Sequence, residues 1–131
     1  VLKKGESINR KGGVVVDPNK FCIAPLKTRS YVFAADTAYT PKVIEGALNA
    51  SLLYHEATFM ESEKSIATKT MHSTASDAGR IAREANVKKL LIGHFSNRYR
   101  VLDGLLDEAR SVFENTFLSI EGETISIDYL D

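Results

Sequence analysis

The sequence predicts an α/β fold in which helices cover at least one face of a sheet. Short apolar segments rich in β-branched and aromatic residues alternate with longer segments whose apolar residues recur at helical spacing. The chain has 131 residues, 44% of them hydrophobic. A chain of this length forms one domain and buries roughly two thirds of its unfolded surface.

The predicted elements follow a regular order from Tyr31 onward. Thr40-Pro41 is typical of a helix start, because threonine caps the first turn and proline is tolerated in it. Thr74 and Asp77 have the spacing of a capping box. The strands are expected over 31–35, 51–55, 89–93, 116–120 and 124–127, and the helices over 41–49, 61–70, 74–86 and 102–113.

The first thirteen residues are expected to be polar and rich in turns. A short β-branched run follows at 14–16, and the turn signal Asp-Pro-Asn at 17–19 closes it.

Composition argues against several classes of protein. Seventeen acidic and seventeen basic residues give a net charge of +0, which is unlike a broadly basic nucleic-acid binder. Cys22 is the only cysteine, so an internal disulfide and a cysteine-based zinc finger are excluded and a cytoplasmic setting is expected. Apolar runs are all shorter than the ~20 residues of a membrane span.

Residues able to bind a metal or transfer a proton follow the ends of predicted strands. Asp36 follows one strand, His55-Glu56 ends the next, and His94 follows a third. In open α/β sheets, sites form where the loops at this edge converge. Each residue also has a structural interpretation, since an aspartate after a strand is more often a turn or cap residue. A histidine on an apolar strand is likewise more often part of the core.

Four ordered motifs favour the functional interpretation. They are Ala-Asp-Thr at 35–37, His-Glu-Ala-Thr at 55–58, His-Ser-Thr at 72–74 and Gly-His-Phe-Ser-Asn-Arg-Tyr at 93–99. On these motifs the chain resembles the C-terminal half of ribonuclease Z, a family of metallo-β-lactamase-fold endonucleases that trim precursor tRNA at its 3′ end. The resemblance extends from about residue 5 to about residue 117. It implies half of an αββα sandwich, with a mixed sheet and helices on the outer face.

The resemblance implies a site with two zinc ions. Asp36 corresponds to the carboxylate that bridges the ions, and His94 corresponds to a histidine ligand of one of them. Glu56 and His72 correspond to a carboxylate–imidazole pair beside the metals. In this pair His72 would donate a proton to the departing ribose oxygen, and Glu56 would hold the ring. His55 is expected to be structural, with an inward ring that supports Glu56.

Three basic residues are implied in binding the precursor tRNA. Arg98 corresponds to the arginine that binds the substrate phosphate, for which a planar, permanently charged guanidinium is suited. Lys27 and Arg29 would extend the positive surface. They lie in the segment Pro-Leu-Lys-Thr-Arg-Ser at 25–30, which is similar to the family's Pro-x-Lys-x-Arg-Asn loop but departs from it at Ser30. Binding through these residues would weaken with salt.

The chain lacks the family's first zinc motif, His-x-His-x-Asp-His, and a further histidine. Because a catalytic zinc normally has three protein ligands, Asp36 and His94 alone would not hold two ions tightly. Residues 1–131 are therefore expected to be the C-terminal portion of one domain in a longer enzyme, and to be inactive alone. The resemblance also implies a homodimer.

Two alternatives stay open. One is a relative in the same superfamily that acts on a small phosphodiester. The other is a non-catalytic α/β module, which would bind RNA or pair with another subunit while the motifs serve only as scaffold.

Overall fold

The computed structural model describes residues 4–9, 11–13, 15–23, 26, 28–127 and 129. The strands are β1 (Ile8–Asn9), β2 (Val15–Val16), β3 (Tyr31–Ala34), β4 (Leu52–Glu56), β5 (Leu90–Gly93) and β6 (Thr116–Leu118). The helices are α1 (Pro18–Phe21), α2 (Pro41–Gly46), α3 (Lys64–Thr70), α4 (Ala75–Glu84) and α5 (Asp103–Val112), with a 3₁₀ helix over Glu61–Glu63 before α3. No helix among the described residues is long and apolar enough to cross a membrane.

The main sheet contains four parallel strands in the order β3-β4-β5-β6. Ala34, His55 and Ile92 lie side by side across the first three of them. Strands β1 and β2 form a separate antiparallel pair. Parallel and antiparallel pairing therefore both occur, but in different sheets. Because all four strands of the main sheet are parallel, their carboxyl ends lie at the same edge of that sheet.

Helices cover one face of this sheet. Leu53, Leu90 and Ile92 alternate along the central strands and are fully buried, in one core with Ile81 of α4 and Leu105 of α5. Alternate residues along a strand point to opposite faces. The predicted helix-covered α/β structure is therefore confirmed for this face.

The opposite face of the sheet carries exposed aromatic side chains. Tyr31 is 51% exposed, Phe33 is 63% exposed and Phe117 is 41% exposed. Phe33 stacks on Tyr54 of the neighbouring strand, with ring centroids 4.6 Å apart. An apolar sheet face of this kind is usually covered in a folded protein.

Three segments differ from the sequence-based expectations. The predicted strand over 124–127 is wrong, since this segment pairs with no strand among the described residues; alternation alone does not make a strand without such pairing. The predicted turn at 17–19 instead begins α1, because the Asp17 carboxylate accepts a hydrogen bond from the Asn19 amide at 2.9 Å. Strand β1 lies in the segment expected to be polar and rich in turns. Of the run at 14–16, residue 14 lies outside the described residues.

Helices α4 and α5 lie close to each other at Gly79. A Cβ atom at this position would lie 2.9 Å from the Ala109 carbonyl oxygen and 2.9 Å from the Val112 Cβ. Glycine therefore lets the two helices pack against each other over the sheet.

We predict that Gly79→Ala destabilises the protein by about 1–3 kcal/mol, because the added methyl group must displace backbone. Gly46→Ala is the matched control, since a Cβ atom there meets nothing within 4 Å. The control should leave stability unchanged or slightly raised. Urea denaturation measures both, and equal effects would contradict the proposed close packing.

The predicted capping box at the start of α4 is confirmed. The Thr74 hydroxyl accepts from the Asp77 amide, and the Asp77 carboxylate accepts from the Thr74 amide, both at 3.1 Å. Lys64 and Arg80 also donate to this nearly buried carboxylate. Burial alone would raise the pKa of Asp77, but the donors from Lys64, Thr74 and Arg80 outweigh it and lower that pKa. The box holds the segment just before α4, which carries His72.

We predict that this carboxylate makes stability depend on acidic pH. Because its pKa is lower in the folded protein, Asp77 stabilises the fold above its usual pKa of about 4, and this contribution is lost as the pH falls through the lowered value. Asp77→Asn should cost about 1–3 kcal/mol at neutral pH and flatten the acid dependence. Denaturation at several pH values measures this, with the exposed Asp107→Asn as control. If the free energy of unfolding of Asp77→Asn depended on acidic pH as it does in the wild type, the proposed role of Asp77 would be refuted.

Candidate metal centre

Asp36, Glu56, His72 and His94 converge at the carboxyl edge of the parallel sheet. One potential ligand atom from each residue lies within 4.8 Å of those of the others. Asp36 follows β3, Glu56 is the last residue of β4, and His94 directly follows β5, whereas His72 lies between α3 and α4. The structure thus brings together both predicted metal ligands and both members of the predicted proton-transfer pair.

Asp36 and His94 are the exposed members of this cluster. Their side chains are 73% and 43% exposed, and His94 Nε2 lies 3.3 Å from Asp36 Oδ1. Both residues adopt left-handed backbone conformations, with φ of 49° and 58°. Residues other than glycine rarely adopt this conformation, and where they do it is often at functional sites. The sharp turn after each strand therefore aims two available ligand atoms at the same point.

Glu56 is the fully buried member of the cluster. Its carboxylate accepts hydrogen bonds from the Thr37 amide at 2.5 Å, the Thr58 hydroxyl at 2.6 Å, the Ser73 amide at 2.9 Å and His72 Nδ1 at 3.0 Å. A carboxylate has about four lone-pair sites. Both oxygens are therefore committed to protein donors, and Glu56 is less available to a metal than Asp36 is.

His72 is held beside the two exposed ligands by this carboxylate. Its Nδ1 atom lies 3.1 Å from Glu56 Oε1 and 3.0 Å from Oε2. Its ring centroid lies 5.3 Å from that of His94. Met71, with a φ of 61°, ends α3 in a left-handed conformation just before it. Because Nδ1 faces Glu56, Nε2 is the His72 atom that can exchange a proton with a ligand.

His55 has the inward position expected from the sequence. Its ring is fully buried, and Nδ1 donates to the Glu56 backbone carbonyl at 2.8 Å. Burial lowers the pKa of this imidazole, which favours the neutral ring. Its Nε2 atom has no hydrogen-bond partner within the described part of the chain. The ring supports the end of β4 and takes no part in the ligand cluster.

Arg98 lies at the margin of the cluster, across an aromatic ring. Its guanidinium carbon is 5.0 Å from the centroid of Phe59, whose ring lies 6.3 Å from that of His72. Arg98 also forms an ion pair with Glu63. Hydrogen bonds from Tyr99 and then Arg98 lower the pKa of Glu63. The Glu63 carboxylate thus orients the Arg98 guanidinium, which remains partly exposed.

The structure does not bring Arg29 to this cluster. It precedes β3, at the amino edge of the sheet, where its guanidinium donates to the Ile127 carbonyl at 3.0 Å and lies 4.1 Å from the Tyr129 ring. Lys27 lies outside the described residues. A role for these two residues in tRNA binding stays a prediction.

Sequence reasoning did not single out Thr37, Thr58 or Glu63. The first two lie inside the motifs at 35–37 and 55–58, so position within a motif was a signal that could have found them. Glu63 lies in a charged segment that resembles any solvated helix face, and only the folded chain pairs it with Arg98.

No family model matches the chain, but individual proteins do. The ribonuclease Z of Phocaeicola vulgatus is 46% identical over 127 residues, which are 97% of this chain and 41% of that protein. The ribonuclease Z of Porphyromonas gingivalis W83 is 44% identical over 97% of this chain and 42% of that protein. That of Brevibacillus brevis is 42% identical over 96% of this chain and 42% of its own length. The chain thus spans about two fifths of the length of the curated relatives it matches.

Solved structures agree with these relatives. A metallo-β-lactamase fold protein from Bacillus subtilis matches 70% of this chain and 37% of its own, with a TM-score of 0.64 and 33% identity. A long-form RNase Z from yeast matches 70% of this chain and 12% of its own, with a TM-score of 0.61 and 27% identity. The metallo-β-lactamase architecture and the predicted resemblance are therefore confirmed, and nearly the whole length of this chain is similar to part of ribonuclease Z.

Proposed function

We propose that the protein containing this chain is a zinc-dependent endoribonuclease that removes the 3′ trailer from precursor tRNA. One observation carries the proposal. An exposed carboxylate–imidazole pair, Asp36 and His94, lies against a second, partly buried pair, Glu56 and His72. Similarity to ribonuclease Z over 97% of the chain supports this assignment.

Asp36 and His94 would hold the metal. The donor set fits zinc, which is commonly bound by imidazole nitrogen and carboxylate oxygen. Because a carboxylate has two oxygens, Asp36 could also contact a second ion. When bound, the ions supply an activated water and neutralise phosphate charge. Glu56 is less suited as a ligand, because binding a metal would remove hydrogen bonds from a buried carboxylate.

His72 and Glu56 would supply the proton that the departing ribose oxygen needs. Cleavage of the phosphodiester releases a ribose oxygen, and the His72 Nε2 atom would give its proton to that oxygen. Glu56 accepts a hydrogen bond from Nδ1 of the same ring. Its negative charge would therefore stabilise the protonated ring before the transfer. The hydrogen bonds from Thr37, Thr58 and Ser73 keep the carboxylate from rotating away.

Arg98 would bind phosphate oxygens of the RNA. Its guanidinium is partly exposed and stacks on Phe59, beside the ring of His72. The ion pair with Glu63 orients the guanidinium before substrate arrives. Because such contacts displace counterions, binding should weaken as salt rises.

We further propose that residues 1–131 are the C-terminal portion of one metallo-β-lactamase-fold domain, in a homodimeric cytoplasmic enzyme. The exposed aromatic face formed by Tyr31, Phe33 and Phe117 would then pack against the remainder of the domain. The length of the curated relatives, of which this chain spans about 41%, supports this proposal.

We predict that His72→Ala and Asp36→Ala each slow cleavage of precursor tRNA by the complete protein. Loss of a general acid should cost about 10²–10⁴-fold, and loss of the Asp36 carboxylate should also lower bound metal. Gel analysis of a tRNA with a 3′ trailer measures the rate, with Lys42→Ala on exposed α2 as control. A wild-type rate in either site variant would refute the role of that residue. Cleavage of a small phosphodiester but not of tRNA would favour the alternative superfamily activity.

We predict that the 131-residue chain alone retains less than about one zinc ion per chain after gel filtration, because its two available ligands are fewer than the three of a typical catalytic zinc. For the same reason, the chain alone should not cleave precursor tRNA. Elemental analysis measures the zinc content, with the complete protein as reference. Two tightly held ions per isolated chain would contradict this.

A further inference from the structure

We infer that Thr58 is a positioning residue that determines which ring nitrogen of His94 is presented to the metal. The inference rests on the proposed function only in that it takes His94 as a metal ligand. The inference is based on the position of the Thr58 hydroxyl, which contacts both His94 and the carboxylate of Glu56.

Thr58 lies two residues after β4 and is 7% exposed. Its Oγ1 atom lies 2.6 Å from Glu56 Oε2, 2.9 Å from the His94 carbonyl oxygen and 3.2 Å from His94 Nδ1. The backbone is held as well, because the Thr58 carbonyl accepts from the Ser96 amide at 3.1 Å. Thr58 thus joins the loop after β4 to the loop after β5.

The three contacts of the hydroxyl determine the direction of each hydrogen bond. A threonine hydroxyl has one proton to donate, and a carboxylate or carbonyl oxygen can only accept one. The proton of Thr58 is therefore committed to oxygen, with the charged oxygen of Glu56 the nearest and strongest acceptor. His94 Nδ1 is the third neighbour, so it must supply a proton of its own. It then donates to the lone pair of Thr58 Oγ1.

This arrangement leaves the lone pair of His94 on Nε2. That atom is the one beside Asp36 Oδ1, where the two exposed ligands meet. Within the described part of the chain, Thr58 is the only hydrogen-bond partner of His94 Nδ1. A partner on the non-ligating nitrogen orients a metal-binding imidazole and raises its basicity. Through the same hydroxyl, the metal ligand is linked to the carboxylate that holds His72.

The experiment compares zinc affinity in the complete protein and three variants, by competition with a chromophoric chelator and without RNA. Thr58→Val removes the hydroxyl with little change of shape, and Thr58→Ser restores the hydroxyl without the methyl group. Thr116→Val is the matched control, because Thr116 is also fully buried but donates to the Phe113 carbonyl at 2.5 Å, at the start of β6. Circular dichroism checks that each variant is folded.

We expect Thr58→Val to bind zinc about 10–100-fold more weakly, as is typical when such a partner is lost. Thr58→Ser and Thr116→Val should stay close to the wild type. The inference is overturned if Thr58→Val keeps wild-type affinity, if Thr58→Ser falls as far as Thr58→Val, or if Thr116→Val falls equally. It is also overturned if the wild type binds no zinc.

The same variants separate this inference from the proposed function. If the wild type binds zinc but does not cleave precursor tRNA, the proposed activity fails, while the zinc affinities still decide the role of Thr58. If the wild type cleaves tRNA and Thr58→Val binds zinc normally, only the inference about Thr58 fails.

Discussion

Burial of the Glu56 carboxylate is the constraint on which the rest of the site depends. A charged group removed from water is costly unless hydrogen bonds replace its solvation. Glu56 meets this condition through donors from the loop after β3, the loop after its own strand and the segment before α4. Loosening any of these segments would leave a buried carboxylate unsatisfied, so they hold one another in place.

The side chains of the site differ in their exposure to solvent. The buried carboxylate is committed to protein donors, whereas Asp36 and His94 present ligand atoms to solvent. His72 lies between these groups and contacts the buried carboxylate through one nitrogen. A separation of this kind lets the protein keep its structural hydrogen bonds while the exposed atoms bind a metal or a substrate. The Arg98–Glu63 ion pair continues the partly exposed side of the site.

Most of the elements from Tyr31 to the end of α5 could be predicted from local patterns, because each carries its own signal. Thr40-Pro41 and the Thr74–Asp77 box start α2 and α4 as expected. Two of the three differences lie where strand pairing decides the structure. Residues 124–127 alternate like a strand, but without a partner strand they form none. Strand β1 exists only because it pairs with β2, and nothing in its own two residues indicates that partner.

The sequence by itself determined which residue types stand at the strand ends, and the motifs around Asp36, Glu56, His72 and His94 carried the resemblance to ribonuclease Z. Tertiary structure decided which of those atoms remain available. Parallel pairing brought residues 58 apart in sequence to within hydrogen-bond distance, so Glu56 became a buried acceptor and Asp36 stayed exposed. Tertiary structure also placed Arg29 at the far edge and Thr58 between Glu56 and His94. Burial and hydrogen-bond direction depend on neighbours distant in sequence, and only folding supplies those neighbours.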